Sequence, residues 1–290
     1  AYEIMPILVG SEMCIRDSDI TKTLVFLDTE TTGIIKDDKN QISSNWDMIQ
    51  LAYRKIENNN IIDWNHFINT DTKMEIGAMA THGIYPSLLE EKSEWKYLAD
   101  VNIDSSVFAD NILIAHNAIF DTEVLTRSGI ECHNEVIDTL KVAKILLSEG
   151  VFQEVKGSEP EYVNMQYLRY YFELFQIVDE NGKEEVTTAH DAFGDVVVLE
   201  RIFRVMFDII KNKLSISSDE VIDIMIKMTQ KEYLLLKNMA FGKYRGKSFE
   251  EVSRIDAKYL DWIIGADFTD DIKYTCSVWL GESEDEKFFS

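Results

Sequence analysis

Residues 23–33 read TLVFLDTETTG. The first five, rich in apolar and β-branched side chains, predict a short strand, and Asp28 ends the apolar run. Asp28 and Glu30 stand two apart, so if extended geometry carries on past residue 27 their carboxylates face the same side of a sheet and can share one cation. An acidic pair at a strand end is more often just a solvated strand terminus, so its meaning depends on what the rest of the chain brings to it. Thr31, Thr32 and Gly33 follow as a turn whose backbone N–H groups are expected to meet a phosphate.

Outward from this strand, residues 48–56 and 61–68 read as two more strands separated by Asn58, Asn59 and Asn60, an antiparallel start. Residues 82–98 predict a helix, NILIA (111–115) a buried strand, 119–128 a helix, and 135–138 a short strand entering a helix through residue 147. The acidic stretch 149–163 carries Gly150, Gly157 and Pro160 and reads as a loop. An aromatic-rich helix (165–175), a turn at 179–182 and a long helix (191–213) come next. In the long helix Val197, Val198, Ile202, Val205, Met206, Ile209 and Ile210 have the spacing of a face packed on a core. Antiparallel strands followed by strands alternating with helices predict an α/β fold with a mixed sheet. After a break at 214–218, a helix (219–237) and FGKYRGK (241–247), read as a short strand or hairpin, lead into two more helices and a smaller second unit.

The chain has 290 residues, 46% hydrophobic, 11% aromatic and 28% charged, enough for one large or two smaller cored domains and unlike a disordered or fibrous composition. It holds no apolar run of the roughly 18–20 residues that span a bilayer. Cys14, Cys132 and Cys276 form no CxxC pair, which argues against a disulfide framework or a zinc site and fits a reducing cytoplasm. With 52 acidic against 29 basic residues the net charge is −23, the wrong sign for holding nucleic acid on a broad basic surface. Any such contact is expected to be local or bridged by metal. Residues 1–20 have no link to the periodic pattern, and MCIRDS (13–18) resembles the translated end of a sequencing transposon. They are expected to be a non-native leader, and with four acids and one base they leave the charge argument standing.

Two further stretches bring acids to the first pair. Asp121 lies in AHNAIFD (115–121), just past the NILIA strand, at the strand end where sites collect in α/β sheets. On their own, His116 and Asn117 beside it read as loop-bonding residues. HDAFGD (190–195) places His190 and Asp195 five apart. With Asp191 as N-cap these are positions N′ and N4, whose side chains approach each other. DTETTG, HNAIFD and HDAFGD, in this order and spacing, resemble the three motifs of the DEDDh 3′ to 5′ exonucleases, and all five signature positions match. YVNMQYLRYYF (162–172) and FGKYRGKSFEEVSRIDAKYLDWI (241–263) are similar to segments of the exodeoxyribonuclease X group. The resemblance spans about residues 22–280; the acidic stretch 149–163 and the turn around 179–183 look like additions.

The resemblance implies a ribonuclease H-like mixed sheet flanked by helices, with a small C-terminal α+β module. It implies that Asp28, Glu30, Asp121 and Asp195 bind two Mg²⁺ (or Mn²⁺) ions. Asp28 would bridge both, Glu30 and Asp195 would serve the ion that holds the attacking water, and Asp121 the second. Oxygen-only ligands beside a phosphate suit these ions, and a pair of them serves phosphoryl transfer. Crowded carboxylates also need cations, because each like pair about 4 Å apart costs roughly 4 kcal/mol at an effective dielectric near 20. His190 is implied as the general base. Thr31, Thr32, Gly33 and Asn117 would bind substrate, and the product would be a nucleoside 5′-monophosphate.

The implied enzyme is a 3′ to 5′ exodeoxyribonuclease acting on DNA 3′ ends, in the cytoplasm. RNA is the alternative substrate, because the five catalytic groups do not choose the sugar. From another class comes a catalytically inactive nucleic-acid-binding adaptor, against which the complete acid set weighs. A polymerase proofreading subunit fits less well with the tail. The expected domains are 21–213 for the exonuclease, 214–240 for a connecting helix and 241–290 for the C-terminal module. On a strand, Lys243, Arg245 and Lys247 would face one way, either as a phosphate grip or as a lysine-guarded sheet edge. Trp262 is expected in the core, His82 in a loop-bonding role, and His66 and His133 in structural ones.

Overall fold

The computed structural model of the chain describes residues 20–33, 46–174 (except 59, 96, 102, 133 and 134) and 192–289. The expected leader up to residue 19, the turn at 179–183, His133, Asp191 and His190 lie outside the described residues.

The strand that opens the sequence lies at the middle of a five-stranded sheet. β1 (Leu24–Thr31) runs antiparallel to β2 (Met48–Glu57), and β2 antiparallel to β3 (Asn60–Phe67). On its other side β1 is parallel to β4 (Ile112–Ala115), and β4 to β5 (Val136–Asp138), giving the order β3-β2-β1-β4-β5. This is the ribonuclease H-like mixed sheet, flanked by helices.

Between β3 and β4 lie α1 (Ile76–His82), α2 (Pro86–Lys92) and α3 (Ser106–Ala109). The helix expected over 82–98 is therefore shorter: Gly83, at φ +71, ends α1, and Pro86 starts α2. α4 (Ala118–Arg127) and α5 (Thr139–Ser148) follow β4 and β5, and α6 (Val151–Lys156) replaces part of the loop expected over 149–163. α7 (Met165–Tyr171) is followed by α8 (Ala192–Leu214), α9 (Ser218–Gln230), α10 (Phe249–Gly265) and α11 (Asp270–Leu280). No described helix is long and apolar enough to cross a membrane.

The period-2 alternation of β1 sorts the molecule into two cores. Leu24 and Phe26 face a core built with Val196, Leu199 and Phe203 of α8, where the rings of Phe26 and Phe203 meet edge to face at 5.2 Å. Val25 and Leu27 face the opposite core, with Val124 and Leu125 of α4. Full burial of one such side chain stabilises by about 1.5–3 kcal/mol, so these contacts fix both helices on the sheet. On the α8 side, the fully buried Glu200 accepts from Arg54 of β2 (2.8 Å) and pairs with Arg204. Arg54 also makes a two-pronged contact with Asp63 at 2.7 and 2.8 Å. Removing one partner of such a buried pair costs about 3–5 kcal/mol, which pins α8 against β2.

α9 packs on α5 and β5 and leads to a small C-terminal core of Met239, Phe249, Val252, Leu260, Ile263 and Cys276. FGKYRGK is a tight turn closed by an antiparallel bridge between Asn238 and Ser248, not a strand on which cations alternate. Gly242 at φ +67 and Gly246 at φ +88 take the left-handed conformations that the turn requires. A side chain at 242 would also strike the Tyr259 hydroxyl.

Candidate active site

The alternation that sorts the core also sorts the acids. β1 outruns its parallel neighbour: the β1–β4 ladder ends at Phe26–Ile114, while β1 stays paired with β2 as far as Thr31. The strand thus continues through Asp28, where the sequence suggested an end, and Asp28 and Glu30 inherit the α8-facing parity of Leu24 and Phe26. In the first turn of α8, Asp195 points back at them. Carboxylate oxygens of Asp28, Glu30 and Asp195 all lie within 4.8 Å of one another.

Asp195 is only 5% exposed, and its Oδ1 accepts a hydrogen bond from the Gln166 amide of α7 at 3.1 Å. The N-terminal end of α8 is tied to the sheet by Gln50, which faces Glu30 across the β1–β2 ladder and accepts the Ala192 N–H at 3.4 Å. One otherwise unpaired helix-end amide is thereby satisfied.

Asp121 approaches from the other side of the sheet. Its Oδ1 accepts a hydrogen bond from the Thr29 hydroxyl at 2.8 Å, Thr29 having the α4-facing parity between the two acids. Asn117 makes the turn from β4 into α4 in the left-handed region, at φ +73, which asparagine tolerates, and its N–H donates to Asp138 at 3.0 Å. Asp138 also caps α5 by accepting from Leu140 N–H. Asp121 stands outside the group of three but lines the same cavity of about 430 Å³, together with Phe120, His116, Asn117, Asn164, Met165 and Gln166. A larger cavity, about 600 Å³, lies beside Trp46 and Arg127, with Asp47 as the one acid among its described lining residues.

Burial pushes the Asp121 carboxyl up to about 7, against the downward pull of hydrogen bonds from Thr29, and the Asp138 charge adds to the rise. The unfolded value is near 3.8, so in the cation-free protein this group contributes stability fully present below about pH 4 and lost as pH rises through about 7. Asp121→Asn, whose amide stands in for the protonated acid and can still accept from Thr29, is expected to melt at least a few degrees above the parent in chelator at pH 8. The gap should shrink toward nothing near pH 4. A gap of equal size at both pH values would contradict this.

His116 lines the cavity with its Nδ1 3.0 Å from the Thr139 hydroxyl, and burial pushes its imidazole down to about 4, so the ring is neutral near pH 7. Besides that hydroxyl, the backbone of Val163 in the segment before α7 acts on the ring, as expected of a loop-bonding residue. His82 behaves as expected. Its Nδ1 accepts from Ile84 N–H at 2.9 Å, which leaves Nε2 to donate to the Thr31 carbonyl at 3.2 Å.

In the turn after Glu30, the Thr32 amide departs from the expectation. Thr32 N–H donates to the Asp47 carbonyl and its hydroxyl accepts from Asp47 N–H, both at 2.9 Å, so this residue is turned inward and offers no amide to a phosphate. The Thr31 hydroxyl donates to the Gly33 carbonyl at 2.6 Å, and the Glu75 side chain packs on Gly33. The cation row is also revised. Lys243 pairs with Asp256 at 2.7 Å and Lys247 with Glu251, while Arg245 has no ion pair among the described residues. Sequence reasoning misses Thr29, Gln50 and Gln166. Thr29 is open to it, as the residue of opposite parity between two acids; the glutamines carry no local signal.

A model of the family described as "Exonuclease" matches residues 25–203. The chain belongs to the exonuclease family. A second model, "Exodeoxyribonuclease X-like C-terminal", matches residues 239–267 of this exonuclease. Exodeoxyribonuclease 10 of Escherichia coli is 24% identical over 241 residues, covering 83% of this chain and 90% of that protein. A DNA polymerase III subunit epsilon-like protein of Rhodobacter capsulatus is 30% identical over 157 residues, covering 51% of this chain and 20% of that protein. The chain thus spans about a fifth of the length of that polymerase-type relative. A solved structure described as exonuclease X in complex with 5′ overhanging duplex DNA shares 20% identity, covering 70% of this chain and 99% of that one, with a TM-score of 0.47. The exonuclease thus carries a cluster of acidic side chains suited to divalent metal on its family's fold.

Proposed function

We propose that this exonuclease is a divalent-metal-dependent 3′ to 5′ exodeoxyribonuclease that releases nucleoside 5′-monophosphates from DNA 3′ ends. The observation that carries the reading is the meeting of Asp28, Glu30 and Asp195 within 4.8 Å, in a cavity that Asp121 also lines. The donor set fits Mg²⁺ or Mn²⁺: every ligand is a carboxylate oxygen, and three such charges repel unless a cation joins them. Asp28, Glu30 and Asp195 would hold one ion and Asp121, with Asp28, a second. When bound, the ions lower the pKa of water and neutralise charge on the phosphate and the leaving oxygen.

The protein's own part is positioning and proton transfer. Gln166 fixes the rotamer of Asp195, and Thr29 that of Asp121. Asn117 and Phe120, on the cavity wall, would meet the terminal nucleotide. His190 would take a proton from the attacking water, whose oxygen bonds to phosphorus as the bond to the 3′-oxygen of the preceding nucleotide breaks. That 3′-oxygen leaves with a proton from solvent, and the released nucleotide keeps its 5′-phosphate. The crowded acids carry a large repulsion that a pure binding role would have no use for, which favours an enzyme over an adaptor.

The test is incubation of 5′-labelled DNA and RNA strands of equal sequence with Mg²⁺ or with chelator. Stepwise shortening of DNA alone, abolished by chelator, is expected, with 5′-monophosphates as product. Shortening of RNA in preference would assign an exoribonuclease, and binding of both without shortening would assign the adaptor.

A further inference from the structure

Trp262, expected in the core, is 56% exposed. Its indole lies nearly parallel to Tyr259, with ring centroids 5.5 Å apart and planes 24° apart, and the Phe268 ring stands nearly perpendicular to it at 5.9 Å. Tyr259 is in turn covered by the Lys243 ammonium, 4.8 Å from its centroid. A half-exposed indole held flat against a second ring is a restrained π-surface in contact with solvent. Lys258 lies one helical turn before it on α10, on the same face and without an ion pair among the described residues, whereas Asp261 lies about 100° round the helix.

The same module reaches the wall of the catalytic cavity. Lys237 pairs with Glu159 in the segment leading to α7, where the Tyr162 hydroxyl is hydrogen-bonded to Glu161 and Arg245 is near enough to act on it electrostatically as well. Tyr162 is itself 56% exposed and meets the Tyr167 ring of α7 at 5.5 Å. The first turn of α7 supplies Met165 and Gln166 to the cavity. Rings and cations therefore run from Trp262 through Lys243, which Asp256 pairs, and Arg245 to Tyr162, just before the residues of α7 that line the catalytic cavity.

We infer that this series is the path of the single-stranded segment 5′ to the scissile nucleotide, with Trp262 as a base-stacking platform and Arg245 as its phosphate contact. The inference rests on the reading of the chain as an exonuclease of DNA ends: a 3′ end seated among the acids leaves the rest of the strand to run out along an adjoining surface. Stacking suits a strongly acidic protein, because every base offers a π-face and no broad basic surface is needed.

The experiment uses the full chain with Mg²⁺ and a fluorescently labelled phosphorothioate single strand of about twelve deoxynucleotides, followed by anisotropy, so that binding is read apart from cleavage. Trp262→Ala is expected to weaken binding about tenfold and Trp262→Phe to restore most of it. Arg245→Ala should lower the slope of log affinity against log salt by about 0.7. Equal affinity of the Trp262→Ala variant and the parent, at matched melting temperature, would overturn the platform. If the strand binds through Trp262 yet the parent hydrolyses no DNA, the catalytic reading fails and the platform stands.

Discussion

Asp28→Asn is expected to lower turnover by about 10³-fold or more and, in chelator, to raise the melting temperature. The first effect follows from position. Asp28 sits on β1 opposite Ala52, in a ladder that backbone pairing fixes, and its carboxylate is one of three that meet within 4.8 Å. An amide is a poor ligand for a hard cation, and loss of the several kcal/mol of charge stabilisation that a catalytic metal supplies corresponds to three or more factors of ten in rate. The second effect follows from charge. Among crowded carboxylates each like pair about 4 Å apart costs roughly 4 kcal/mol at an effective dielectric near 20, so removing one charge relieves the cation-free protein. A variant that is slower yet more heat-stable cannot be explained by misfolding. Turnover within a few-fold of the parent at saturating Mg²⁺ would remove Asp28 from the chemistry.

Much of this arrangement is legible in local pattern, and the misses have particular causes. Alternation along β1 puts Asp28 and Glu30 on one face from the order of residues alone, because a two-residue period needs no tertiary information. It does not say which helix that face meets, and so gives no sign that Asp195 joins the pair while Asp121 approaches from the opposite core. Val151 to Lys156 form α6 inside an acidic stretch because Gly150 and Gly157, both in left-handed conformations, bound a helix too short to show a periodic signal. Hydrophobicity alone assigns Trp262 to the core. Its phase argues otherwise: Leu260 and Ile263 are the buried residues of that turn, and a side chain one position before Ile263 is rotated about 100° away. The cations of FGKYRGK would alternate only on a strand, whereas Gly242 and Gly246 turn the chain back on itself and bring Lys243 to Asp256.

His190→Ala is expected to slow hydrolysis by about 10²-fold or more while leaving the affinity for Mg²⁺ unchanged, the signature of a lost general base rather than a lost ligand. The proposed role rests on the five-residue spacing to Asp195 and on the likeness of HDAFGD to the third exonuclease motif. The sign of the pH dependence separates it from a structural histidine. A base acts in its neutral form, so the parent's rate should rise with pH through the imidazole's ordinary range near 6.5, and the variant should lack that limb. His116 cannot supply a substitute limb there, since burial holds its pKa near 4 and it stays neutral throughout that range. As a proposed metal ligand, Asp121 would stay ionised in saturating Mg²⁺, and its titration would not enter the comparison. The measurement is the pH–rate profile of parent and variant on one DNA strand, with metal affinity followed by thermal shift. A variant that keeps the parent's profile at full rate would show that the proton leaves the attacking water by another route.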